Sequence, residues 1–194
     1  MTKFLNNADV KGYVAQTAVT SSLLKTDSNG KLVAAVADTD YATPGALASA
    51  DKMVTIGRNA TGATLYQGTI VYISGSTGNR PNFVKAQADN EPHSSQTFGV
   101  VLADIPNNSD GNVVTMGTIS NLDTRTTATN PFTDVTLADG DTIYLHPTIA
   151  GYVTNVKPSA PNHLVYVGKV VRTSPTNGTI VYRIQNGYER SEER

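Results

Sequence analysis

Short runs of alternating apolar and polar residues fill the chain from about residue 53 onwards. These runs are rich in Val, Ile, Tyr and Thr, and the segments between them are rich in Gly, Asn, Asp and Pro. β-Branched and aromatic residues favour strands, whereas the residues of the second group favour turns. Strands that recur at intervals of roughly eight to twelve residues are typical of an all-β sandwich or barrel. The pattern therefore predicts an all-β domain.

The predicted elements of this domain follow directly from the pattern. We predict strands over 53–56, 69–74, 83–87, 98–104, 112–119, 142–146, 151–156, 164–173 and 179–185. We predict polar loops over 75–82 and 88–96, and an exposed polar insertion over 120–132.

One turn-and-strand motif occurs twice in the chain. Residues 65–73 read LYQGTIVYI and residues 137–145 read LADGDTIYL, which is an offset of 72 (137 − 65). Further on, Gly99 corresponds to Gly168 at an offset of 69 (168 − 99), so the order is kept while loop lengths change. Each copy reads as turn, strand, loop, strand, turn, strand.

Two copies of such a unit predict one compact β-barrel or sandwich with pseudo-twofold character. A solenoid is excluded, because it needs three or more units to bury a continuous core. We place this β-domain over 54–188, with related halves over about 62–119 and 135–185, and a charged tail over 189–194.

The segment over 1–53 differs from the β-domain in having few large apolar residues. An Asn29-Gly30 pair predicts a short hairpin near 23–33, since both residues tolerate the positive φ of a type I′ turn. Ordering a backbone costs about 1–2 kcal/mol per residue, which so few apolar side chains do not offset. The segment is therefore either a disordered terminus or an extended arm that orders against a partner. The interface candidates in such an arm are Phe4, Leu5, Tyr13, Leu23, Leu24, Leu32 and Tyr41.

Composition narrows the possible functions. The net charge is −1 and only 16% of residues are charged, so the chain has no field to attract nucleic acid or an anionic membrane. The absence of cysteine excludes disulfides, thiolate catalysis and thiolate metal sites. We expect neither a secretory signal nor a membrane span, because no segment has the required pattern.

The residues that could catalyse a reaction or bind a metal are more simply explained as structural residues. His93, His146 and His163 stand at none of the spacings typical of metal ligands. The acids of Asp139-Gly140-Asp141 belong to a tight turn, since the first copy has Gln67-Gly68 at the same place. We therefore predict no catalytic residue, metal ligand or cofactor.

The repeated plan of turn glycines, strand tyrosines and Gly-x-Val strands resembles the β-rich decoration, or cement, proteins of tailed-phage heads. Its first copy is carried by Gly68–Ile73, Phe98–Leu102 and Gly111–Thr115, and its second by Gly140–Leu145, Gly151–Val153, Val167–Val171 and Gly178–Ile184. The segment over 18–41, followed by Pro44, is similar to segments of phage fibre and head-fibre proteins. Fibre proteins usually continue into further domains, so we expect a short protein bound to the capsid.

The resemblance implies a β-tulip-like fold and a structural role in the virion, without enzymatic activity. It implies that the arm binds the major capsid protein at the outer surface of the shell, after synthesis in the host cytoplasm. A homo-oligomer is expected, with a trimer as the first choice and a dimer as the second. No nucleic acid or membrane partner is expected.

Two other functions remain open at this point. A fibre-type module that binds a cell-surface glycan would bring the loops over 75–82, 88–96 and 121–130 together at one end. A glycan hydrolase would need two carboxylates about 5–9.5 Å apart in a cleft. Its candidates are Asp104, Asp123, Asp139 and Asp141.

Overall fold

The structure is a computed structural model that describes residues 24–34, 51–126, 130–132 and 135–186. By its contacts the chain divides into two units, residues 1–50 and 51–194. Among the predicted interface residues, those outside the described ranges are Phe4, Leu5, Tyr13, Leu23 and Tyr41. The predicted charged tail over 189–194 is also outside them.

In the first unit the described residues form a two-stranded hairpin of β1 (Leu24–Thr26) and β2 (Leu32–Ala34). Its turn differs from the predicted type I′ turn, because only Gly30 has positive φ (74°) and Asn29 does not. The carboxylate of Asp27 accepts hydrogen bonds from the N–H groups of Asn29 and Lys31, each at 2.9 Å. This side chain stabilises a longer loop, which removes the need for positive φ at Asn29.

The regular elements of the second unit are strands apart from one four-residue helix, which confirms the prediction of an all-β domain. Its elements are β3 (Lys52–Asn59), β4 (Ile70–Thr77), β5 (Arg80–Lys85), α1 (Glu91–Ser94), β6 (Thr97–Val101), β7 (Asp110–Leu122), β8 (Thr142–Leu145), β9 (Val153–Thr154), β10 (Val165–Arg172) and β11 (Gly178–Asn186). They form one nine-stranded sheet in the order β3-β5-β4-β6-β7-β11-β10-β8-β9. The sheet is not a regular closed barrel of all nine strands, but β3 also pairs with β7, so the first half closes into a ring.

The sequence repeat is visible in the order of the strands. On one side of the β7–β11 pair the order is β7-β6-β4-β5, and on the other side it is β11-β10-β8-β9. Each strand of the first half therefore has a counterpart in the second half at the same distance from the centre. β3 is the additional strand without a counterpart.

The two copies share their turn geometry as well. Gly68 and Gly140 have φ of 86° and 88°, a conformation that favours glycine. The N–H of Gly68 donates to the Val101 carbonyl and that of Gly140 to the Val170 carbonyl, both at 2.8 Å. Each glycine turn thus fixes the first strand of its copy against the third.

Two buried clusters lie on opposite faces of the sheet. The smaller fills the ring of the first half and consists of Leu65, Val71, Phe83, Val101, Ile105 and Val113. The larger combines residues of both halves, among them Ile70, Val114, Ile143, Val167 and Ile180. Val113 and Val114 face opposite clusters, as successive residues of a strand do.

Three predicted loops are shorter or more ordered than expected. In the segment over 75–82, β4 and β5 extend to a tight turn at Gly78-Asn79, because cross-strand pairing continues through polar residues. The segment over 88–96 contains α1, and its Ala88 and Ser94 are buried. The helix begins after Asn90, whose side chain accepts from the His93 N–H at 3.1 Å.

The predicted insertion over 120–132 is not a purely exposed loop. β7 continues to Leu122, and Phe132 is buried in the larger cluster. The side chain of Asn130 donates to the carbonyls of Asp123 and Arg125 at 2.9 and 2.8 Å and accepts from the Phe132 N–H at 2.9 Å. These bonds hold the described part of the connection between the two halves.

Candidate interaction surface

The most distinctive exposed feature of the second unit is an apolar area on one face of β3, β7, β11 and β10. Strand register pairs Met53 with Met116 and Met116 with Arg183. One step along the sheet, Thr118 pairs with Val181 and Val181 with Lys169. Directly paired residues of antiparallel strands share a face. We call the surface formed by Met53, Met116, Thr118, Lys169, Val181 and Arg183 the methionine face.

The apolar side chains of the methionine face are unusually accessible. Met53 is 65% exposed, Met116 49% and Val181 39%. Exposed apolar residues scattered singly are ordinary, but neighbouring ones on a flat sheet are typical of protein contact sites. Methionine suits such a role because its unbranched side chain adapts to irregular partners.

The core on the other side of the same strands holds this face in place. Tyr182 is fully buried in the larger cluster, and its strand neighbours on either side are Gly117 and Gly168. A Cβ at Gly168 would collide with the Val181 carbonyl oxygen, and one at Gly117 with that of Asp51. The strands approach this closely only because both positions are glycine. The methionine face therefore lies on a rigid support.

The charges of the methionine face that have no ion-pair partner in the described ranges are basic. Lys169 and Arg183 are exposed and form no ion pair with any residue in the described ranges. On the β3 side Asp51, whose carbonyl accepts from the Thr118 N–H, is neutralised by Lys52 at 3.1 Å. The face thus combines an apolar centre with unneutralised positive charge, which favours an acidic partner surface.

The carboxylates considered for hydrolysis stabilise turns instead. Asp139 accepts from the N–H and the hydroxyl of Thr173 at 2.6 and 2.7 Å, and these bonds lower its pKa below the ordinary value. Asp141 accepts from the Asn155 side chain and the Ala138 N–H, which also lowers its pKa. The hydrogen bonds from Arg125 lower the pKa of Asp123. A glycosidase acid needs a raised pKa, so these shifts have the wrong direction for that role.

Asp104 and Asp139 accept equivalent hydrogen bonds in the two copies, but each copy supplies the carboxylate from a different one of the two joined segments. In the first copy Asp104, after β6, accepts from the Gln67 N–H at 2.8 Å in the glycine turn. In the second copy the acid is Asp139, in the glycine turn, and the donor is Thr173, after β10. Position 139 aligns with 67 and position 173 with 104. Each copy therefore joins the same two segments through one carboxylate.

The loops that a glycan site would combine lie far apart. Arg80, beside the tip of the β4–β5 hairpin, contacts Asp110 at 3.3 Å at the start of β7. Most of the loop over 121–130 follows Leu122 at the other end of β7, about 40 Å along an extended strand at ~3.3 Å per residue. The loops over 75–82 and 121–130 thus do not share one end.

The histidines make local contacts: His93 Nδ1 lies 3.1 Å from an Asp89 carboxylate oxygen, and His163 Nδ1 lies 3.2 Å from one of Glu91. The Nδ1 atom of His146 accepts from the N–H groups of Thr148 and Ile149 at 3.1 Å each, so it stabilises a turn. No group of three or more His, Asp or Glu in the described part of the chain has the geometry to hold a metal ion. An open cavity of about 340 Å³ lies beside Thr124 and Thr173, and its lining mixes threonines with apolar residues such as Val135 and Leu137.

Sequence reasoning selected the interface residues from the first 50 positions and missed the methionine face. Of the selected residues, Leu24 pairs with Ala34 and Leu32 with Thr26 in the hairpin, and the rest lie outside the described residues. The signal for the missed surface was weak. Met116 stands between Thr115 and Gly117 and looks like an ordinary core position of an alternating strand. The pairing of Met116 with Met53 on the neighbouring strand is needed to place its side chain on the exposed face.

No helix among the described residues has the length and apolar character needed to cross a membrane. The sequence matches no known protein-family model and no curated protein at a significant level.

Proposed function

We propose that this protein is a structural component of a phage-like virion that binds the outer surface of an assembled protein shell and stabilises it. A ligand that binds only the assembled state shifts the equilibrium away from disassembly, by RT ln(1 + [L]/Kd) for each site. The partner is the major shell protein, and many weak contacts act together. The protein is synthesised in the host cytoplasm and has no enzymatic role.

The methionine face is the observation that carries this proposal. Three neighbouring apolar side chains with basic residues at their margin suit an apolar, acidic protein surface better than a small ligand. A nucleic acid is less suited, since the centre is apolar and the whole chain has a net charge of −1.

The arm, taken as the residues 1–50 that precede the second unit, provides the second attachment in this proposal. Its interface residues lie across neighbouring shell subunits, while the β-domain sits on the shell as a β-tulip-like body. The protein acts as a homo-oligomer on the shell.

A fibre module that recognises a glycan is the second candidate function. Its weakness is the separation of the loops at the two ends of β7. The hydrolase is weaker still, since three of its four carboxylates have lowered pKa values and all four accept turn-forming hydrogen bonds.

The decisive experiment measures binding to purified shells. We expect the double variant Met116→Glu, Val181→Glu to lose at least about tenfold in affinity, since burying a carboxylate beside an acidic partner is unfavourable. The matched control is Val156→Glu, which changes a 71% exposed valine away from the methionine face. Equal binding of the double variant and the wild type would refute a role for the methionine face.

Two further measurements separate the roles. Deletion of residues 1–45 should leave the β-domain folded and abolish shell binding, whereas retained binding would show that the arm is not an anchor. Mass spectrometry of purified particles should find copy numbers comparable with those of the major shell subunit. Copy numbers far below that level would favour the fibre alternative.

A further inference from the structure

The outer edge of β3 has backbone groups that no other strand satisfies within the described residues. The Asp51 carbonyl accepts from the Thr118 N–H at 2.9 Å, and the Asn59 N–H donates to the Ser109 carbonyl at 2.9 Å. Both odd-numbered residues therefore face β7 and its preceding loop. Since backbone groups alternate in direction along a strand, those of Lys52, Val54 and Ile56 face away from β7.

On that outer side the part of the chain that the structure describes gives β3 only a brief partner. β5 runs parallel to it and pairs only at Arg58 and Asn59. The residues before this point are accessible, with Val54 44% and Ile56 47% exposed. An open apolar edge without proline is a site for further strand pairing.

We infer that a second copy of this chain occupies the edge, with the two β3 strands antiparallel around a twofold axis at Val54. In this register Val54 faces Val54 of the second copy, and Lys52 faces Ile56 of the second copy. All N–H and C=O groups of Lys52, Val54 and Ile56 that point outward then have partners. The inference does not depend on shell binding.

The edge is complementary to itself in this register. Valine packs on valine at the axis, and the alkyl part of Lys52 lies along Ile56, so no like charges are directly opposed. Moving the axis by one residue to Thr55 would place Lys52 opposite Arg58, which is a like-charge pair at a position already used by β5. An axis midway between Val54 and Thr55 would set an outward-pointing residue of one copy opposite a residue of the other copy that points towards β7. Such residues cannot form hydrogen bonds with each other, so this register is excluded.

The resulting contact closes on itself. Because the same patch is used by both copies, the assembly stops at a dimer and does not extend into a fibre. The edge is covered in the process, which removes the aggregation hazard of an open strand.

The absence of cysteine gives a direct test with the full-length protein. Opposed residues of a hydrogen-bonded antiparallel pair have Cα atoms about 5.5 Å apart, within the range of about 4.4–6.8 Å that disulfides accept. We expect Val54→Cys to form covalent dimers rapidly on mild oxidation or with a short bis-maleimide. Val156→Cys, which is at least as exposed, should not. Equal rates for the two variants would overturn the inference.

Sedimentation equilibrium gives a second, independent measurement. Val54→Pro removes an N–H that points away from β7, so the domain should stay folded while the dimer weakens by at least about tenfold. Val54→Ala keeps the N–H and should retain most of the dimer. A wild type that is monomeric at high concentration, or an oligomer that Val54→Pro leaves unchanged, would overturn the inference. Circular dichroism verifies folding, and the cysteine variant decides if the proline variant unfolds.

Discussion

At the residue scale, the most unusual group is the hydroxyl of Tyr182. The side chain is fully buried, and its oxygen has no hydrogen-bond partner in the described part of the structure. Burial strongly raises the pKa of this phenol, because a charged form has no solvation there. A buried hydroxyl without a hydrogen-bond partner lowers the free energy of unfolding. It occurs here where Gly117 and Gly168 leave space for the tyrosine ring.

Tyr182→Phe should therefore stabilise the domain by about 1 kcal/mol, since an unsatisfied buried hydroxyl costs about 1–3 kcal/mol. Urea unfolding measures the change, and Tyr166→Phe, at a partly exposed position, should change little. The raised pKa adds a pH dependence with a definite sign. The unfolded chain ionises above pH 10.0 and the folded one does not, so wild-type stability falls above that pH. A destabilised Phe variant would show that the hydroxyl has a partner.

Asp139 contributes to the stability of the domain at low pH. Its pKa is lowered in the folded state, so its contribution is complete above its ordinary pKa of 3.8 and is lost as the pH falls below that value. Asp139→Asn should flatten the decline in stability in this range. Thr173→Val, which removes the principal hydrogen-bond donor, should have a similar effect. An unchanged acid profile in both variants would contradict this assignment.

At the element scale, the close approach of strands depends on paired glycines. Gly99 and Gly168 occupy equivalent positions, and a Cβ at either one would collide with a neighbouring strand, at Val113 and at the Val181 carbonyl oxygen respectively. The two copies of the motif therefore have the same steric requirement. Gly99 and Gly168 set the distance between neighbouring strands, whereas Gly68 and Gly140 set the direction in which the chain leaves each turn.

Gly99→Ala and Gly168→Ala should each destabilise the domain by about 2 kcal/mol or more, because overpacking typically costs ~1–3 kcal/mol. Gly78→Ala is the comparison, since its Cβ would meet nothing within 4 Å and only its φ of 61° is unfavourable. We expect about 1 kcal/mol there. Thermal unfolding of the three variants measures the difference, and equal costs at all three positions would refute the steric account.

The observed strands and helix also show which elements could be predicted from the sequence pattern. Alternation identified every strand of the β-domain, and the repeated glycine turns identified the correspondence of β4 with β8. The pattern missed the extension of β4 through residues 75–77, because polar residues of a hairpin look like a loop. It also missed α1, since four residues are too few to show helical periodicity. The exposure of Met53 and Met116 depends on cross-strand register, which no local pattern contains.

At the scale of the whole molecule, the larger cluster joins the two halves of the second unit. Val114 and Ile70 from the first half pack in one cluster with Ile143, Val167 and Ile180 from the second. Neither half buries this surface alone. The connection contributes Phe132 to the same cluster, so it is part of the core as well as a link.

The β-domain should therefore unfold in a single transition. Calorimetric and van't Hoff enthalpies should agree, and circular dichroism and tyrosine fluorescence should give the same midpoint. Phe132→Ala should lower stability by about 3–5 kcal/mol without separating the transition into two. Two resolved transitions would show that the halves are independent.

The mirrored order of strands about the β7–β11 pair also bears on ancestry. A single ancestral unit of four strands could have produced the same arrangement by associating with its own copy along its last strand. Tandem duplication of its gene would then have converted an assembly of separate molecules into one polypeptide. The carboxylate at position 104 in one copy and at 139 in the other fits later divergence of such duplicates, in which each keeps the bond while the segment that supplies the acid differs.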